Sequence, residues 1–456
     1  MKGLKHLDTP AHTRGEARFV ADLPEPADLL HGVAVPSPVP HGRNLAVDRT
    51  AAEALDGVVA VLTARHIPGE NQIGGIIQDE PLLADGEVHF LGQPVALVVA
   101  SSLAAARRGA AAVRVRVDEL PAVYDPREAH AIGQLITASR TLECGNSGDA
   151  WAACSTVVDG RVESGGQEHV YFETQSALAI PEEDGRIRLL SATQAPTAVQ
   201  RITARVLDLP MNAVEVDVVR LGGAFGGKED QATPWAVLAA LAARHTARPV
   251  KIVLSREEDM AVTGKRHPYS SDFRIGLDAT GKILAYEVTY YQNAGAAADL
   301  SPAILERSLF HATNSYAIPN VRVTGHSCRT NLPPFTAFRG FGAPQAMFVM
   351  ECAIDRAAVA SGLDHAHIQR VNLLADGDRF PYGMVVERAQ ARRSFEEVER
   401  RYDVAFARAE IAAHNREHTL SKRGLALMPV CFGISFTSTF LNQASALVHV
   451  YTDGSI

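Results

Sequence analysis

The residues best suited to chemistry lie in LGGAFGGKED, Leu221–Asp230, where four of the six positions 222–227 are glycine. Gly222, Gly223, Gly226 and Gly227 let a backbone approach a ligand closely, and the helix expected to follow presents unpaired N–H groups at its start. Together they suit an anion or a phosphate-bearing cofactor. Phe225 inside the loop and the Lys228-Glu229 pair closing it are not needed by a plain turn, the competing reading. TAFRGFGAP, Thr336–Pro344, repeats the design: Arg339, Gly340, Phe341 and Gly342 precede a second helix with Pro344 near its start. Two such loops can grip one extended anionic ligand from two sides, with Phe341 stacking on a planar ring. Gln167, directly after Gly165 and Gly166, carries an amide able to donate to a nearby oxygen; a turn-capping amide is the bland alternative.

Familiar motifs do not account for these loops. Gly222 to Lys228 fits G-x-x-x-x-G-K, but Glu229 stands where a phosphate-binding loop needs Ser or Thr for magnesium. No glycine lies two positions after Gly222 or Gly223, which excludes the dinucleotide fingerprint. Glu168 and His169 are adjacent, so on a strand they face opposite ways and make no joint metal site. The five cysteines, Cys144, Cys154, Cys328, Cys352 and Cys431, show no C-x-x-C spacing. That pattern predicts reduced thiols in a cytoplasmic protein, and no iron–sulfur or structural zinc site in this chain. Arg307, beside Glu306 on an expected helix, reads by itself as a surface charge.

Positioning these residues requires a strand from Val214, the first glycine loop, a helix over Thr233–His245 and a strand over Arg248–Leu254, which form a β-α-β unit. Upstream, residues 14–125 read as one small α+β domain, with strands at 29–35, 58–62, 95–100 and 113–117 and an Ala-rich helix over 101–112. Residues 165–180 read as a strand and 255–269, SREEDMAVTGKRHPY, as a solvated charged loop. A helix opens at Pro196, and a hairpin over 273–292 turns at DATGK. Helices are expected over 294–311, after Pro344 and over 364–374; 375–420 reads as polar and helical. A strand is expected over 423–430, and another over 446–451 leading into a TDGS hairpin turn, with Ile456 beginning the returning strand. The chain thus reads as truncated at Ile456, inside a hairpin: a fragment, or a chain that pairs with another polypeptide.

With 46% hydrophobic and 21% charged residues the chain has enough apolar surface for a sizeable core. A net charge of −8 argues against nucleic acid or an anionic membrane as partner. No apolar run approaches the roughly 18 residues of a membrane span, and the first residues show no signal-peptide core.

In order along the chain, GGQEH, LGGAFGGKE, VTGKRHP, ERSLFH, TAFRGFGAPQ, FGISFT and LVHVYTDGS resemble the molybdopterin-binding part of the xanthine dehydrogenase family of molybdenum hydroxylases. The resemblance covers the chain from about Gly15 to Ile456. It implies an α+β fold, with an α/β hammerhead domain over 1–125, a connector over 126–165 and, over 166–456, the first part of a molybdenum-binding region of mixed sheets and helices. It implies a molybdenum–molybdopterin cofactor with a sulfido ligand, whose hydroxide attacks an electron-poor carbon while hydride passes to sulfur. It also implies FAD and two 2Fe-2S clusters on a partner subunit, xanthine or hypoxanthine as substrate, NAD as acceptor and a dimer of heterodimers. By motif, Gln167 resembles the glutamine that hydrogen-bonds an oxygen on molybdenum. Gly223, Phe225, Gly226 and Arg339 resemble residues lining the cofactor around the metal without ligating it. Glu229 and Arg307 resemble a substrate-orienting pair, Phe341 and Phe436 the aromatics that sandwich the ring, and Thr437 the residue beside it.

An arginine aimed at charge developing on a purine stabilises the transition state more than the ground state, and a carboxylate opposite fixes orientation. Such a pair rejects apolar rings, whose binding would leave it unpaired. Ala224 and Ala343 stand where the family usually has glycine; alanine at 224 is strained if that position needs positive φ. The family's GGTEMGQG motif and active-site glutamate base are not in this sequence and are expected beyond Ile456, so the isolated chain is expected not to complete catalysis. A molybdenum hydroxylase acting on another heterocycle or an aldehyde, a non-catalytic module, and the already disfavoured phosphotransferase are the alternatives.

Overall fold

The structure, a computed structural model, describes residues 6, 8–437, 442, 444 and 446–456. The N-terminal part contributes β1 (Leu30–Pro36), β2 (Gly42–Asp48), β3 (Val58–Leu62), β4 (Glu87–Val88), β5 (Pro94–Ala100) and β6 (Arg114–Glu119). Next come β7 (Arg140–Cys144), β8 (Thr156–Ser164), β9 (Ser176–Pro181), β10 (Ile187–Ser191), β11 (Val214–Asp217) and β12 (Val250–Val253), then β13 (Tyr269–Leu277), β14 (Ile283–Gly295) and β15 (Asn320–Arg329). They form a sheet ordered β11-β10-β9-β12-β1-β5-β3, a second ordered β7-β15-β14-β13-β8 and a third ordered β4-β2-β6. With helices packed on the two larger sheets, this is the expected α+β architecture.

The first sheet crosses the expected domain boundary: Leu30 and His31 of β1 pair in parallel with Val250 and Lys251 of β12. Residues 14–125 therefore share a sheet and core with the chain beyond 165. The segment 126–165 is likewise more than a connector, because β7 and β8 form the two edges of the second sheet. Both edge strands are short or polar on one face, which hides them from local pattern reading.

The helix Thr233–Thr246 opens with proline in its first turn and is buried on nearly every side, from Trp235 to Ala243. Small alanines let it lie against β9, β10 and β12 and against the Pro196–Val206 helix. β11 and β12 run parallel with β10 and β9 between them, so the expected β-α-β unit is present with its strands separated by two others. A second crossover joins β14 to the parallel β15 through the helix Ser301–Phe310, which carries Arg307. The expected hairpin is β13–β14, paired from Tyr269↔Gln292 to Leu277↔Ile283. The helix Ala343–Ser361 packs Met350, Ile354 and Ala357 against this sheet.

Other expectations need correction. Residues 165–175 are not strand; Gln167 makes a single bridge to Arg266, and the strand begins at Ser176. Residues 294–311 are helical only from Ser301, because Ala294 and Gly295 finish β14. The 255–269 segment opens as a helix, Arg256–Val262, with Ser255 and Glu258 in a reciprocal capping box. Neither 423–430 nor 446–451 is a strand; Leu447, Val448, Val450 and Tyr451 are exposed and have no ladder partner. TDGS does turn, with Gly454 N–H donating to the Tyr451 carbonyl at 3.0 Å and Tyr451 N–H to the Ser455 carbonyl at 2.9 Å. Ile456 nevertheless begins no returning strand: it is exposed and sits in no ladder, since the segment it would pair with is itself not a strand. The expected hairpin at Ile456 is therefore a turn alone. The expected continuation of FGISFT through Gln443 lies partly outside the described residues. Among the described residues no helix is long and apolar enough to cross a membrane.

Candidate functional site

Both glycine loops follow their scaffolds and turn by visiting left-handed backbone. In the first, Gly223, Phe225 and Gly226 have φ of 86°, 58° and 103°; in the second, Gly340, Phe341 and Gly342 have 98°, 49° and 101°. In each loop a phenylalanine is held in a conformation that L-residues seldom adopt, at a cost of about 1–3 kcal/mol. Ala224 and Ala343 are not among the positive-φ residues, so the anticipated strain at 224 falls on Phe225 instead. Ala343 is simply the first residue of a buried helix.

The loops touch each other. Arg339 N–H donates to the Phe225 carbonyl at 2.9 Å, and the Arg339 guanidinium lies 5.2 Å from the Phe225 ring centre. A Cβ on Gly226 would sit 2.7 Å from the Ala337 carbonyl oxygen, so only glycine allows this approach. Beneath them His169, its ring stacked 4.5 Å from Phe338, has Nε2 2.7 Å from the Ala337 carbonyl oxygen, and a Cβ on Gly227 would strike that ring. Burial lowers the His169 pKa. Gln194 accepts from Gly226 N–H at 2.9 Å, fixing the first loop from its other side.

The segment read as a charged loop is the part that ties the site together. Gly264 N–H donates to Gln231 just past the first loop, at 2.8 Å, and Thr336 N–H at the start of the second donates to the Lys265 carbonyl at 3.0 Å. Lys265 pairs with Glu168 at 2.8 Å. Arg266 donates from Nε to Gln167 Oε1 and from Nη2 to the Arg339 carbonyl, both at 2.9 Å, with its guanidinium 4.1 Å from the Phe338 ring centre. Burial lowers the Arg266 pKa to about 10, which leaves it charged at neutral pH. His267 meets Ser301 Oγ at 2.8 Å, at the start of the Arg307 helix; burial drops its pKa to about 3, so it is neutral. Sequence reasoning misses this cluster because its partners are distant along the chain; the dense Thr-Gly-Lys-Arg-His run after a capped helix is the available signal.

Arg307 is not a surface charge. Its side chain is 4% exposed. It donates to the carbonyls of Gly433 and Ser435, and its guanidinium lies 5.6 Å from the Phe341 ring centre and 5.2 Å from that of Phe432. Carbonyls and ring faces offset part of the cost of burying a cation. Phe341 and Phe436 meet at 5.6 Å between ring centres with 54° between planes. A ring between them needs about 7 Å, two contact distances of about 3.5 Å, so the pair must part to form a sandwich. Phe432 is an additional wall that the sequence reading did not single out. Thr437 follows directly, with a buried Oγ1 lacking a partner among the described residues.

Glu229 is half-buried, and its carboxyl makes no hydrogen bond or ion pair among the described residues. Burial, with the Asp230 charge, pushes its pKa up to about 7. Its loop adjoins the Arg307 helix through Gln231, which donates to Asp299 Oδ2 at 2.9 Å, two residues before Ser301. No hydrogen bond or ion pair joins Glu229 to Arg307, whose guanidinium donates to Gly433 and Ser435 instead. Burial also raises the pKa of Asp230 and holds those of Asp299 and Glu80 well above the usual carboxylate values.

Among the described residues several donors lack acceptors: Arg266 Nη1 and Arg307 Nε are buried without partners. Gln167 and Arg339 are exposed, and neither the Gln167 NH2 group nor the Arg339 guanidinium donates a hydrogen bond among the described residues. A donor-rich, cationic rim beside two glycine loops fits an anionic group that brings oxygen acceptors.

Comparison with known proteins shows the family. The profile described as "Aldehyde oxidase and xanthine dehydrogenase, a/b hammerhead domain" matches residues 14–121, and two described as "Molybdopterin cofactor-binding domain" match 129–373 and 397–456. The chain is 39% identical over 454 residues to a xanthine dehydrogenase/oxidase of Felis catus, covering 99% of this chain and 34% of that protein. It is 40% identical over 461 residues to a nicotinate hydroxylase of Emericella nidulans, with the same coverage of 99% and 34%. The chain thus spans about a third of the length of these relatives. Among solved structures, the aldehyde oxidoreductase from Desulfovibrio gigas superposes with a TM-score of 0.84 at 28% identity, covering 91% of this chain and 47% of that one.

Proposed function

This chain belongs to the aldehyde oxidase and xanthine dehydrogenase family of molybdenum hydroxylases, and on that premise we propose that it binds molybdenum–molybdopterin and orients a purine, hypoxanthine or xanthine, for hydroxylation. The bound cofactor supplies an oxygen nucleophile and accepts two electrons. Gln167 and Arg339 would hold it through the side-chain donors described above, with the backbone around Gly223, Phe225 and Gly226 lining it. The observation that carries the purine reading is Arg307: a buried guanidinium fixed by two carbonyls and flanked by Phe341 and Phe432. A cation held there meets charge building on a ring oxygen without reorganising, which favours the transition state. Glu229 accepts ring N–H groups, Phe341 and Phe436 part to take the ring, and Thr437 donates at its edge. The base that activates the nucleophile is assigned to none of these residues. Two 2Fe-2S clusters and FAD on a partner subunit, in a dimer of heterodimers, would carry the electrons away, with NAD as final acceptor; the five cysteines of this sequence lack cluster-type spacing.

A second reading is hydroxylation of another nitrogen heterocycle, favoured by the 40% identity to a nicotinate hydroxylase; a carboxylate on such a ring would also suit Arg307. Molybdenum analysis of the purified complex, then turnover of hypoxanthine, xanthine, nicotinate and an aromatic aldehyde, separates the readings. Metal with preferred purine turnover supports the first; nicotinate preferred over purine overturns it.

A further inference from the structure

We propose that Arg266 is the positioning residue that sets the Gln167 amide, holding its oxygen away from the cofactor and presenting its NH2 group as the donor. The proposal rests on the reading of Gln167 as a cofactor contact. An arginine can only donate, so the Gln167 atom facing Arg266 Nε at 2.9 Å must be the carbonyl oxygen. That leaves the amide NH2 facing the other way. An exposed glutamine is otherwise free to rotate its amide by half a turn, and the flipped form would set oxygen against oxygen. Arg266 prevents this from several directions. Its backbone N–H donates to the main-chain carbonyl of Gln167 at 3.0 Å, its Nη2 reaches the Arg339 carbonyl at 2.9 Å, and its plane lies over Phe338 at 4.1 Å. One guanidinium therefore registers Gln167 against the second glycine loop. Lysine, with one compact ammonium and no fork, cannot make both side-chain bonds in this geometry.

The test uses the cofactor-loaded full-length protein with every partner polypeptide present, as Gln167→Ala, Arg266→Met, Arg266→Lys and the Gln167→Ala/Arg266→Met double variant. Three readouts are taken: molybdenum content, the Mo(V) electron paramagnetic resonance spectrum after partial reduction, and kcat and KM. Arg266→Met should keep its molybdenum, lower kcat roughly 10–100-fold with KM little changed, and shift the spectrum as Gln167→Ala does. The double variant should be no worse than Gln167→Ala alone, because Arg266 acts through that amide. Multiplying effects, or a parent-like spectrum in Arg266→Met, overturn the proposal. If Arg266→Met does not fold, Arg266→Lys decides: a shifted spectrum and reduced kcat support the proposal, and parent-like values sink it. A Gln167→Ala variant unchanged in spectrum and kcat would instead remove the reading of Gln167 itself.

Discussion

One oxygen of Glu173, Oε2, accepts both from Gly222 N–H at 2.9 Å and from Lys228 Nζ at 3.2 Å, so a single buried carboxylate ties the first residue of the glycine loop to its last lysine. Lys228 is fully buried and lies 4.7 Å from the Tyr171 ring centre. Burial lowers the Lys228 pKa, and the Glu173 charge and hydrogen bond oppose that shift. Glu173 Oε1 accepts from Val20 N–H at 3.1 Å, which links the N-terminal segment to the same clasp.

Removing one side of this pair leaves an uncompensated buried charge. Glu173→Ala should cost about 3–5 kcal/mol. Glu173→Gln combined with Lys228→Met should cost clearly less than Glu173→Ala, because no charge is stranded. Denaturant unfolding of the variants checks the order; a single variant as stable as the parent would mean the pair contributes nothing.

The contact between the loops depends on one missing side chain. Gly226→Ala places a Cβ 2.7 Å from the Ala337 carbonyl oxygen in a residue with φ of 103°. It should lower both thermal stability and bound molybdenum. Ala224→Gly should bring no relief, because Ala224 is not in the left-handed region; its effect should stay within about 1 kcal/mol, on the destabilising side. Calorimetry and metal analysis read both.

Substrate choice should follow the buried cation. Arg307→Met should lower purine kcat/KM by about 100- to 1000-fold, the scale of losing one transition-state donor. An uncharged aromatic aldehyde should lose far less. Equal losses on both substrates would show that Arg307 holds the pocket together and does not select purines.

Glu229 predicts a pH dependence. Its pKa is about 7 here, above the usual carboxyl value of 4.5. The folded state therefore binds more protons than the unfolded between about pH 4.5 and 7. Stability falls as pH rises through that window, and the full cost of a buried carboxylate is present above it. Glu229→Gln should be more stable than the parent at pH 8, with the gap closing below about pH 4.5. Thermal melts across that range check the sign. If Glu229 accepts from the substrate as proposed, purine turnover should rise through about pH 7, and the rise should vanish in the variant.

Local periodicity and chain punctuation identify the helices opening at Pro196 and Pro234, the hairpin at Asp278–Lys282 and both glycine loops, because each is set by residues close in sequence. The same reasoning misreads 255–269. Lys265, Arg266 and His267 look like solvated charge until their partners Glu168, Gln167 and Ser301 are brought beside them by the β9–β12 and β13–β14 sheets. It also puts Arg307 at the surface, since nothing local reveals that Gly433 and Ser435 close over it. At the other end, the alternation of 446–451 promises a strand and a return at Ile456, but a ladder needs a second strand, and none lies beside it among the described residues.

What the sequence determined by itself was the inventory: two glycine-aromatic turns at helix starts, an amide after two glycines, an acid, a guanidinium and two phenylalanines. These follow from local sterics and motif order. Tertiary structure alone decided which groups are buried, that Phe225 and not position 224 carries the backbone strain, and that β1 of the N-terminal part joins the sheet of the later chain. Burial, long-range pairing and shifted ionisation arise from contacts between residues far apart along the chain, and no local window contains them.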